Sequence, residues 1–141
     1  MQSVTQPVPA SKTSLWTGRI ISALMILLLL FDAITKVLKE RHSVAGTMRL
    51  GYSEGFVPVI GILLLVCVLF YAIPRTAVLG AVLLTGYLGG AVASQLRIGD
   101  PFSHVLFPIS VAALIWLGAY LRDNRVRTLV PLRLRNQTSR N

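Results

Sequence analysis

Charge is scarce in this sequence: 13% of its 141 residues are Asp, Glu, Lys or Arg, where soluble globular domains carry about 25%. Acids are scarcer still, five against fourteen basic residues. With 54% apolar residues and a mean hydropathy of +0.68, the chain lacks the polar surface that would hold a single body of its size in water. It also lacks the polar low-complexity tracts of a disordered protein. The lone cysteine, Cys67, excludes an internal disulfide, and no CxxC or CxxCH offers a redox pair, a zinc knuckle or a haem attachment. The two histidines, His42 and His104, and the scattered carboxylates have no tight ligand spacing, so no metal site is expected. What remains is an all-α integral membrane protein.

The gaps between charges count its spans. A helix crossing the hydrocarbon core needs roughly 20 apolar residues. Glu54 to Arg75 encloses 20 uncharged residues, Arg75 to Arg97 encloses 21, and Asp100 to Arg122 encloses 21. The first apolar run has only 12 between Arg19 and Asp32, too few to cross, so that helix is expected to continue to Leu38 and to carry Asp32 and Lys36 within it. The spans are therefore placed at about 17–38, 56–73, 77–96 and 103–121. Residues 1–16 are expected to form a disordered arm, 17–121 the transmembrane domain and 122–141 a basic tail. A cleaved signal peptide is the rival reading of the first run, but no small-x-small cleavage site follows it.

Four spans make an antiparallel four-helix bundle with both termini on one side. That side holds nine of the basic residues and one acid, Asp123, against five basic residues and four acids on the other. The positive-inside rule then puts both termini in the cytoplasm. The arginine-rich tail from Arg122 onward reads as an orientation signal resting on an anionic leaflet rather than as a nucleic-acid binder. Trp16, Trp116 and Tyr120 fall where an interfacial aromatic belt would lie. On span three, Gly86, Gly90 and Ser94 recur four apart, with Gly89 beside them, a small-residue stripe expected to pack against a neighbouring helix of this chain or of a second copy.

Chemistry concentrates near the outer ends of the spans. Asp32 and Lys36 are one turn apart, acid first, a spacing that pairs well on a helix. Asp32 lies about 20 Å along the helix from Arg19, inside the membrane, where ionisable groups face a partner or a cavity. Glu54, Gln95, Arg97, Asp100 and His104 are expected at similar depth. Three readings compete for this group. It is a structural polar cap, or a pocket for a quinone or other lipid-soluble molecule in which His104 and a carboxylate handle protons, or a proton-coupled transport site with Asp32 as the titrating acid. Lys36 weighs against the last, because it would neutralise that acid.

The stretch from Gly51 to Arg122 resembles the DoxX-like family of small four-span bacterial membrane proteins. The resemblance rests on GY at 51–52, VPVIG at 57–61, IPRTAVLGAVLLTGYLGGAVA at 73–93, LRIGD at 96–100, HVLFP at 104–108 and WLGAYLRD at 116–123. Lys36 matches the lysine typical of the first helix in that family. The resemblance implies a bacterial inner-membrane protein without independent catalytic activity, an accessory or scaffold subunit that binds a quinone-like molecule for a redox partner. Many members carry a histidine before the LR and a glutamate inside span two, where this chain has Gln95 and Leu64. Arg97, Asp100 and His104 keep the family pattern.

Overall fold

The computed structural model of the chain describes residues 11–129. Four of its helices are long and apolar enough to cross a membrane. They are α1 (Lys12–Val37), α3 (Val57–Ala72), α4 (Ala77–Arg97) and α5 (Phe102–Arg122), joined by the short α2 (Arg41–Arg49) and followed by α6 (Asn124–Leu129). Single 3₁₀ turns, Glu54–Phe56 and Pro74–Thr76, lead into α3 and α4. The spans expected from charge spacing are all present.

Local chemistry sets the boundaries. Ser11 caps α1, its hydroxyl accepting from Ser14 N–H at 3.2 Å. The helix therefore starts five residues before the expected span, and residues 12–16 of the arm expected to be disordered are helical. Residues 1–10 of that arm and 130–141 of the basic tail lie outside the described residues. Beyond α1, Lys39 takes a left-handed turn (φ 53°), and Glu40 caps α2 by accepting from His42 and Ser43 N–H. Gly51, at φ 93°, then returns the chain toward α3, a conformation glycine adopts without steric penalty.

α1 packs on α3 and α5, and α4 packs on the same two helices, so α1 and α4 sit diagonally in an up-down bundle. At the end where Lys12 and Leu129 lie, the terminal end, the helices touch closely. A Cβ on Gly18 would sit 2.7 Å from Leu121 Cβ, and one on Gly118 would sit 2.6 Å from Ser22 Oγ. A Cβ on Gly80 would intrude on the backbone of Phe70 and Tyr71, 2.6 Å from the Phe70 carbonyl carbon.

Tyr71 is the hub of this end. It is fully buried, and its hydroxyl donates to Ile115 O at 2.9 Å. With that hydrogen used, Ser22 is the donor in the 3.1 Å contact between the two hydroxyls. Arg122 donates to Tyr71 O at 2.7 Å and lays its guanidinium 4.7 Å from the ring centroid. One side chain thus ties α1, α3 and α5. Tyr71→Phe is expected to lower stability by about 1–2 kcal/mol by removing both hydroxyl bonds from a dry site, measured by unfolding of the chain in lipid.

α6 folds back over the same end. Val126 of α6 is buried, and Arg127 donates to Tyr120 O and to Ser14 Oγ, joining α6 to both α5 and α1. Trp116 donates its indole N–H to Thr85 Oγ1 across the α4–α5 contact at 2.8 Å.

Candidate functional site

Toward the other end, the loop end, the packing changes. Gly61 lets α3 approach α1 closely, its Cβ position lying 2.8 Å from Lys36 Cβ and 2.9 Å from Ala33 O. α4 has no such contact here. A Cβ placed on Gly86, Gly89 or Gly90 would meet nothing within 4 Å. The glycines of the small-residue stripe therefore meet no other helix within this chain, whereas Ser94 at its end is buried and bonded to Tyr52. The close approaches are made instead by Gly18, Gly61, Gly80 and Gly118.

The space left is a cavity of about 820 Å³ bounded by all four long helices and α2. Much of its wall is apolar, with Leu28, Leu63, Leu83, Phe107 and Val111 among the contributors, and Gly86 and Gly90 border it. Leu63, Leu83 and Phe107, which line it, are exposed rather than buried, so the cavity is open between the apolar helices rather than sealed within them.

Its polar end is built from α1, α2 and the end of α4. Asp32 and Lys36 form the expected ion pair. The pair is asymmetric. Both residues line the cavity, but the lysine side chain is 13% exposed and that of Asp32 43% exposed. Ser43, Thr47, Tyr52, Ser94 and Gln95 line it as well. Ser94 donates to Gly90 O at 2.8 Å, so Tyr52 must be the donor in the 2.9 Å Tyr52–Ser94 contact. Thr35 donates to Asp32 O, which makes Ser43 the donor in its 3.3 Å contact with Thr35, and Thr47 donates to Ser43 O. Gln95 Oε1 is buried and has no hydrogen-bond partner.

The remaining residues expected at this depth form a separate group. Asp100, 6% exposed, pairs with Arg49 of α2 and lies 3.5 Å from His104 Nδ1. Arg97 donates to Leu50 O at 2.9 Å, its guanidinium filling the space beside Gly51. Neither Arg97, Asp100, His104 nor the exposed Glu54 lines the cavity. With Tyr52–Ser94, the Arg49–Asp100 and Arg97–Leu50 links join the α1–α3 half to the α4–α5 half at the loop end, where direct helix packing has given way to the cavity. The structure thus brings Asp32, Lys36 and Gln95 to one cavity, and puts Arg97, Asp100 and His104 in the struts beside it. Among the described residues, no three His, Cys, Asp or Glu side chains gather to hold a metal ion.

Tyr52, Ser43 and Thr47 were missed as site residues. Tyr52 stood in a recognisable GY pair, but nothing in its local sequence paired it with Ser94, 42 residues away. Ser43 and Thr47 are four apart on a nine-residue helix too short and polar to register as a span. That i, i+4 spacing of hydroxyls facing one way was the available signal.

Compared with known proteins, residues 20–118 match the profile of the DoxX-like family. No curated protein and no solved structure matches the chain significantly.

Proposed function

The chain belongs to the DoxX-like family of multi-pass membrane proteins, and on that premise we propose that it is an accessory subunit that holds a quinone-like, lipid-soluble molecule for a redox partner. The observation that carries this reading is the 820 Å³ cavity, apolar along much of its wall and polar at one end, that is open between the apolar helices. Binding sites for small amphiphiles have these proportions: an apolar body with a few polar groups that orient the head. The tail would lie among Leu28, Leu63, Leu83 and Phe107, and the head against Asp32, Tyr52 and Gln95. Binding is the role given to this chain, and electron transfer falls to the partner.

The excess of basic residues at the terminal end supports cytoplasmic termini in a bacterial inner membrane, which puts the polar end of the cavity near the outer leaflet. The exporter reading is weaker, because Asp32 is paired with Lys36 rather than standing free.

Gly90→Leu tests the reading. Its side chain enters open space bordering the cavity, so the fold is expected to persist while the cavity is partly filled. Native mass spectrometry of the chain extracted from its own membrane is expected to show a lipid-soluble ligand on the unmodified protein and at least about tenfold less on the variant, as an occluded apolar pocket forfeits most of its contacts. Equal retention by both proteins would overturn the proposal, and counter-flow by the chain alone in liposomes would favour the exporter.

A further inference from the structure

The hydroxyl hydrogens of Thr35, Ser43, Thr47, Tyr52 and Ser94 at the polar end are already committed. Ser94 gives its hydrogen to Gly90 O, Tyr52 to Ser94, Thr47 to Ser43 O, and Ser43 to Thr35, whose own hydrogen is on Asp32 O. A hydroxyl has one hydrogen and two lone pairs, so what these groups keep for a ligand is acceptor capacity. The charge that reaches into the cavity is also an acceptor: the ammonium of Lys36 is largely enclosed and bound to Asp32, whereas the carboxylate is the more exposed partner. Filling the cavity takes water away from that carboxylate. A head that only accepts, such as a ketone, an ether or a fully oxidised quinone, would leave the carboxylate oxygen that Lys36 does not hold without a replacement donor, and burying a charged acceptor unsatisfied is unfavourable.

Several groups lining the cavity retain hydrogens to offer: the Lys36 ammonium, the His42 ring, the Gln95 amide and Tyr87, whose hydroxyl makes no hydrogen bond within the described residues. A purely donating ammonium head would leave these unused. We infer that the cavity is built for a lipid-soluble molecule with a hydroxyl head, a phenol or alcohol whose O–H is given to Asp32 while its oxygen accepts from Tyr87 or Gln95. This rests on the binding reading above and narrows it to the reduced, hydroxyl-bearing form of a ring-headed molecule.

The test uses a matched pair of probes, a long-chain alkylphenol and its methyl ether, which share ring and tail and differ in the one hydrogen. Binding to the full chain in lipid nanodiscs is measured with each ligand's concentration expressed per lipid, so that unequal partition into the bilayer does not enter. The phenol is expected to bind at least about tenfold more tightly than the ether, the usual margin for a hydrogen bond to a charged acceptor. In Asp32→Asn the preference is expected to fall to about threefold or less, since only a neutral acceptor remains. Asp32→Asn combined with Lys36→Met, which leaves no unpaired ammonium behind, should show the same reduced preference and guards against a folding defect in the single variant. Equal affinity for phenol and ether, both weakened by Gly90→Leu, would overturn the hydroxyl inference while leaving the cavity as a binding site. A preference undiminished in both Asp32 variants would overturn it too. Failure of both probes, or of the phenol alone, to bind would overturn the inference, and failure of both would overturn the binding reading with it.

Discussion

Gly80→Ala is expected to lower the stability of the bundle by about 3 kcal/mol, because overpacking is most damaging where the obstructing atoms cannot swing aside. The added methyl would press on the main chain of Phe70 and Tyr71, not on the end of a flexible side chain. Relief requires α4 to move away from α3, which disturbs the buried Tyr71 and its bonds to Ser22, Ile115 and Arg122. Gly86→Ala and Gly90→Ala are the controls. Both are helical glycines with nothing near the new methyl, so each is expected to be neutral or to stabilise by up to about 1 kcal/mol, the helix-propensity gain over glycine. Unfolding by a denaturing detergent in mixed micelles would rank the three. Similar losses at positions 80 and 90 would mean that the close approach of α3 and α4 is not confined to the terminal end.

The ion pair supplies the second large effect. Removing one partner strands the other in a low-dielectric site, which is more harmful than removing both. Because Lys36 is the more enclosed, Asp32→Asn is expected to be worse than Lys36→Met: the stranded ammonium has little access to water, whereas a stranded carboxylate faces the cavity. Losses of about 3 and about 2 kcal/mol are expected at neutral pH, set by the penalty for ionisable groups within a membrane and discounted for the exposure of Asp32. The double variant Asp32→Asn/Lys36→Met should recover about 1–3 kcal/mol relative to the sum of the two, as contacting residues do. Strict additivity would mean that the pair contributes nothing to the fold.

The four spans were legible because membrane insertion writes itself into the sequence as distances between charges. Glu54, Arg75, Arg97, Asp100 and Arg122 bracket α3, α4 and α5 within a few residues of their observed ends. The pairing of Asp32 with Lys36 was equally local, one turn of one helix. Local pattern failed where the outcome depended on which helices meet. The stripe at Gly86, Gly89 and Gly90 has the form of a packing surface and borders space. Gly61 and Gly118, which stand in less regular settings, carry close contacts. Tyr71 gave no sign of its role, since the three helices it joins become neighbours only in the folded bundle. The division of the outer polar residues into cavity lining and struts was illegible for the same reason: Arg49 and Asp100 are 51 positions apart, and α2 had not been anticipated.

The glycines that permit contact and the glycines that border space are different residues on the same scaffold. Gly18, Gly61, Gly80 and Gly118 answer to folding, whereas Gly86 and Gly90 answer to the size of the chamber they adjoin. In evolutionary terms the two demands are decoupled: a lineage can narrow, widen or recontour the chamber by single steps while the contacts that make the chain fold stay untouched. The same small bundle can thereby acquire a chamber of another size or contour without passing through an unfolded ancestor.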